Sequence, residues 1–139
     1  MNYKSIMTSL YYLLIYADGK VNERELFLGK KMMAAEGFEE NGFEAILESL
    51  KSKDKSDLLL ECIGGLKKLE VKLQIRCIAW LCVIANADGF MDKQEWILIY
   101  RIYNTELKLS LDEILTIQKE LNMIIHGRSF HSLGVKVAD

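Results

Sequence analysis

With 139 residues, 18 basic and 20 acidic side chains and a formal charge of −2, the chain fits one domain with one core and lacks the basic excess of a nucleic-acid-binding protein. Half its residues are apolar and none is proline, a composition that favours long helices and predicts an all-α fold. Cys62, Cys77 and Cys82 lie in apolar runs without CxxC or Cys/His spacing, which argues against a disulfide framework or a zinc site and for buried thiols in a reducing, cytoplasmic setting.

From the N-terminus, Tyr3, Ile6, Met7, Leu10, Leu13, Leu14 and Ala17 recur at three- and four-residue spacings, one face of a first helix. Lys4 followed by this apolar run resembles a short signal peptide. Trp80 to Ala87, however, form the same apolar lead-in to a similar turn deep inside the chain, so both stretches read as core helices. Gly19 is placed to close the first helix, and Asn22 with Glu25 reads as a capping box opening a second. That helix is expected to reach about Glu36 with Leu26, Phe27, Met33 and Ala34 inward, and to stop at Gly37. A polar loop, Glu39-Glu40-Asn41-Gly42, leads to a short helix carrying Phe43, Ile46, Leu47 and Leu50. Lys51 to Lys55 could be read as a phosphate patch, but Asp54 and Asp57 interrupt it and it reads as a solvated connector. Asp57 to Leu69 follows as a helix, apolar at Leu58, Leu59, Cys62, Ile63 and Leu66. Its Gly64-Gly65 pair weakens it by about 1 kcal/mol per glycine relative to alanine, which close helix packing would explain.

Val71 to Ala87 is apolar nearly all round after Arg76, as a central helix should be. Lys93 to about Leu107 then carries Trp96, Ile97, Tyr100 and Tyr103 on one stripe, Ser110 and Glu113 cap a last helix to about His126, and residues 127–139 show no helical period. No run reaches the roughly eighteen uncharged apolar residues of a membrane span. The expected architecture is a single domain, 1–139, of about six to seven helices in two pseudo-symmetric halves: repeat one 3–51, a linker and helix 52–69, repeat two 70–121 and a C-terminal tail 122–139.

The halves are related by a repeated turn. Ala17-Asp18-Gly19-Lys20-Val21-Asn22-Glu23-Arg24-Glu25 returns seventy residues later as Ala87-Asp88-Gly89-Phe90-Met91-Asp92-Lys93-Gln94-Glu95, identical at four of nine positions. The spacing matches the last half of an EF-hand calcium loop, but the preceding ligand positions fall on Leu14, Tyr16, Ile84 and Asn86, of which only Asn86 could ligate, so neither copy is an EF-hand. Helix-corner architecture accounts for most of the motif: the glycine closes one helix, Val21 or Met91 packs under the corner, and Asn22 or Asp92 caps the next with Glu25 or Glu95 reciprocating, each cap contributing on the order of 1 kcal/mol. It leaves Asp18 and Asp88 over, because an acid at a helix C-terminus opposes the macrodipole at a cost of about 0.3 to 1 kcal/mol. Each either accepts N–H groups of its own turn or ligates a cation with the glutamate seven residues on.

The doubled motif, with an apolar helix before each copy and the Leu109-Ser110-Leu111-Asp112-Glu113 helix start after the second, resembles the tellurite-resistance TerB-like family over residues 3 to about 121. The resemblance implies an all-α fold of two helical halves whose acidic turns bind divalent metal. Asp18, Glu25, Asp88 and Glu95 match letter for letter; Asp92 completes the second cluster, where the first has Asn22. Two side chains per turn imply a weakly held calcium or magnesium ion, with carbonyls and water completing its shell. The function implied is a non-catalytic module in tellurite or chemical-stress response, or a scaffold with protein partners, reaching the membrane peripherally through a complex rather than by insertion. The alternative is a metal-free docking module in which Tyr11, Tyr12, Trp96 and Tyr103 include exposed anchors, although most of these read as ordinary core. An enzyme is disfavoured, since His126 and His131 lie near the chain end and no Ser, Cys or Lys has a nucleophile context.

Overall fold

Every residue from Ile6 to Ile15 is buried, and so is every residue from Cys77 to Ala85. These runs belong to α1 (Tyr3–Ile15) and α5 (Val71–Ala85), and a helical run with no exposed face has to be surrounded by other helices. α1 packs against α2 (Glu23–Ala35), α3 (Phe43–Leu50), α4 (Lys55–Lys67), α5 and α6 (Lys93–Tyr100), while α5 packs against α1, α2, α6 and α7 (Leu111–Ile125). The computed structural model describes residues 1–17, 19–38, 42–87, 89, 91–126, 134–135 and 137–138. Among them a π-helical segment, Arg101–Glu106, prolongs α6, and Gly134–Val135 (β1) pairs antiparallel with Val137–Ala138 (β2). The fold is all-α, as expected. The remaining residues of the 127–139 tail lie outside those described.

Capping sets the helix starts. Asn2, Asn22, Asp54, Asp92 and Ser110 each accept a backbone N–H of the first turn they precede. α4 therefore opens at Lys55, two residues before the expected Asp57, because the Asp54 carboxylate takes the Asp57 N–H at 3.0 Å. Of the Gly64-Gly65 pair only Gly65 serves packing: a Cβ there would lie 2.8 Å from Ile6 Cδ1, whereas Gly64 has nothing within 4 Å.

The inward face of α2 differs from expectation. Met33 is buried, but Phe27 is 54 % exposed and Ala34 is on the surface, while Glu25, Leu28, Gly29 and Met32 face the core. The helix is turned because Gly29 lies directly against the Tyr11 ring, whose hydroxyl donates to the Glu25 carbonyl at 3.0 Å. Phe27 instead lies on the outer side, with Lys31 Nζ 5.3 Å from its ring centre.

Candidate metal-binding corners

The backbone hydrogen bonds of the two repeated turns correspond one to one. In the first, the Tyr16, Ala17 and Gly19 N–H groups donate to Tyr12, Leu14 and Tyr16 carbonyls at 3.3, 3.1 and 3.1 Å. In the second, the Asn86, Ala87 and Gly89 N–H groups donate to Cys82, Ile84 and Asn86 carbonyls at 3.1, 3.1 and 2.9 Å. Gly19 and Gly89 close them at φ 81° and 91°, a left-handed conformation that side chains resist. Asn22 Oδ1 accepts from Arg24 N–H at 2.7 Å and Glu25 N–H at 3.4 Å, and Asp92 Oδ2 accepts from Gln94 N–H at 2.8 Å. Glu95 Oε1 accepts the Asp92 N–H at 3.3 Å and completes a capping box.

Both motif glutamates are nearly inaccessible, Glu25 at 6 % and Glu95 at 5 %. A carboxylate at that depth requires polar or charged company, and both have electrostatic or hydrogen-bonding contacts beyond those given above. Asp92 is half-buried at the rim of its corner. Asp18 and Asp88, the residues on which the cation reading turns, lie outside the described residues. Among the described residues no three His, Cys, Asp or Glu side chains gather closely enough to hold a metal. Among the described residues the carboxylates at the corners are Glu25 in the first and Asp92 and Glu95 in the second, while the thiols of Cys62, Cys77 and Cys82 are buried elsewhere. Leu14 and Ile84, at EF-hand ligand positions, are fully buried, and Asn86 spends its Nδ2 on the Cys82 carbonyl at 2.9 Å. Val21 does not pack under its corner: it is 40 % exposed, while Met91 is half-buried against the core.

The structure thus repeats a helix–acidic corner–helix unit across seventy residues, with a buried glutamate in each copy. A family model described as tellurite resistance protein TerB matches residues 4–116. The chain belongs to the TerB family. No curated protein and no solved structure matches it. The TerB match covers both corners and all of the described helices except Tyr3 of α1 and residues 117–125 of α7.

Sequence reasoning missed one polar cluster of this TerB chain. Glu36, at the C-cap of α2, has a side chain only 4 % exposed; Arg76 on α5 donates to it through Nε at 2.9 and 3.0 Å and through Nη2 at 2.7 Å, and the Tyr3 hydroxyl on α1 donates at 2.7 Å. Burial pushes the Glu36 carboxyl up, but the Arg76 and Tyr3 hydrogen bonds outweigh it and hold the group below the ordinary carboxylate value. The signal was Arg76 itself, a charge on a helix otherwise almost wholly apolar beyond it. A cleft of about 460 Å³ between α5 and α7, lined by Lys72, Leu73, Arg76, Glu113, Thr116 and Ile117, contains none of the corner residues. Burial also pushes the Cys62 and Cys82 thiols up to about 12, so neither is poised as a nucleophile.

Proposed function

We propose that this protein is a non-catalytic TerB module that binds a divalent cation, calcium or magnesium, weakly at each acidic corner, and that serves chemical-stress response in the cytoplasm as part of a protein complex. The observation that carries the reading is the recurrence of one buried glutamate, Glu25 and Glu95, at equivalent corners. Capping alone does not require that depth, because a capping-box glutamate on an exposed helix start reaches its partner from the surface. Asp18 with Glu25, and Asp88 and Asp92 with Glu95, would supply the side-chain oxygens; bound cation would supply charge neutralisation at two corners that otherwise concentrate negative charge beside helix C-termini. No helix among the described residues is long and apolar enough to cross a membrane, which fits a module brought to a surface by partners.

Manganese, a divalent ion of similar oxygen preference, allows the sites to be counted by the loss of the free-ion electron paramagnetic resonance signal. Two ions per chain are expected for the wild type, and one for Asp18→Asn or for Asp88→Asn. Unchanged free-ion signal at millimolar protein and metal rejects the reading, and so does a stoichiometry that neither substitution alters.

A further inference from the structure

α6 exposes three large apolar side chains in two turns: Trp96 at 40 %, Ile97 at 49 % and Tyr100 at 43 %. The aromatic pair is braced from beneath. Trp96 and Tyr100 have ring centres 5.8 Å apart, and both meet the buried Tyr103, at 6.1 and 5.5 Å. Rings held in this way lose little freedom when covered, and Trp and Tyr are the residue types that carry most binding energy at protein interfaces.

Two exposed cations flank the patch on its own helical segment, where Asp92 and Glu106 are the neighbouring acids with solvent-accessible surface. Lys93 and Arg101 stand one turn before and one turn after Ile97, both exposed. Arg101 Nε lies 3.8 Å from Glu106 Oε2, a long contact to a carboxylate that also lies 3.6 Å from Lys67. Of the acids on the same segment, Glu95 is buried and Asp92 is engaged as the cap. A second copy of the chain is a poor occupant. Antiparallel pairing of two α6 helices about Ile97 sets Lys93 of one copy against Arg101 of the other, and parallel pairing sets each against its equivalent, so both bring cation to cation. A bilayer is a poor occupant as well, because two cations on a chain of net charge −2 fall short of the clusters of about four to eight that hold proteins to anionic lipid.

We propose that this face of α6 docks an acidic amphipathic helix of a partner protein, whose apolar stripe covers Trp96, Ile97 and Tyr100 and whose carboxylates meet Lys93 and Arg101. The proposal is independent of cation binding at the corners. It is tested by fluorescence anisotropy of the full chain with three labelled helical peptides that share an apolar stripe at i, i+3, i+4 and i+7 and carry an acidic, neutral or basic polar face. The acidic peptide is expected to bind at least tenfold more tightly than the basic one, and Lys93→Glu with Arg101→Glu should reverse that order. Trp96→Ala with Tyr100→Ala should abolish binding while leaving the helical circular dichroism intact; the charge reversal, made wholly at exposed positions, decides the matter if the aromatic variant unfolds. The proposal is overturned by failure of the acidic peptide to bind, by equal binding of acidic and basic peptides, or by an order that the charge reversal leaves unchanged. It is equally overturned by binding to phosphatidylglycerol vesicles in place of the peptide, or by a dimer in sedimentation that Trp96→Ala dissolves.

Discussion

Gly29, Gly64 and Gly65 all sit inside helices, where each costs about 1 kcal/mol relative to alanine, yet their surroundings separate them. A Cβ at Gly29 would overlap the Tyr11 ring, and that ring cannot retreat: it is fully buried, packs on Phe43 at 5.6 Å and is tied by its hydroxyl to the Glu25 carbonyl. Gly29→Ala should therefore destabilise by about 1 to 3 kcal/mol, since overpacking exceeds the gain in propensity. A Cβ at Gly65 would press mainly on the end of the flexible Ile6 side chain, Cδ1 at 2.8 Å and Cγ1 at 3.2 Å, so Gly65→Ala should stay within about 1 kcal/mol of the wild type. Gly64 meets nothing, and Gly64→Ala should stabilise by about 0.8 to 1 kcal/mol. Urea denaturation of the three variants checks that order. The capping residues and the corner glycines were legible in the sequence because their roles are local: a side-chain oxygen before a helix and a residue that accepts positive φ. Val21 and Phe27 were not legible in the same way, since apolar character predicts burial only on average and the rotation of α2 is decided by a contact with α1.

At the scale of elements, α1, α2 and α5 converge on Glu36. Because its carboxyl ionises in the folded chain below the value it has unfolded, the contribution of the cluster is complete above the unfolded pKa of about 4.3 and is lost as pH falls through the lower folded value. Urea midpoints measured from pH 7 to pH 3 should fall for the wild type in the acid range, and fall less for Glu36→Gln, which has no charge to lose there. Arg76→Ala should be the more damaging of the two substitutions at pH 7. It strands a deeply buried carboxylate, whereas Glu36→Gln leaves a guanidinium that is partly in solvent already. An equal loss for both would contradict the asymmetry. Helix positions were readable from apolar periodicity and caps, and the run of α5 beyond Arg76, apolar nearly all round, announced the core. The Glu36–Arg76 pair joins residues forty apart in sequence, and such a pairing has no local signature beyond an isolated charge on an apolar helix.

For the whole molecule, the repeat is the organising fact. α1 and α5 occupy equivalent central places, each runs into an equivalent corner, and each corner holds a buried glutamate. The doubled motif was visible in the sequence, and the TerB family match over residues 4–116 spans both copies of it. Corner geometry explains the glycines and caps, while Asp18 and Asp88 carry the question of whether a cation is held. The most direct test is thermal melting with and without millimolar calcium, magnesium or manganese. A cation present at a hundred times its dissociation constant adds about 2.7 kcal/mol to a state that alone binds it. If the corners hold cations, the melting temperature rises for the wild type, rises less for Asp88→Asn with Glu95→Gln, and does not rise when Asp18→Asn and Glu25→Gln are added. An unshifted wild type, or a shift as large in the substituted chains as in the wild type, would contradict cation binding at the corners.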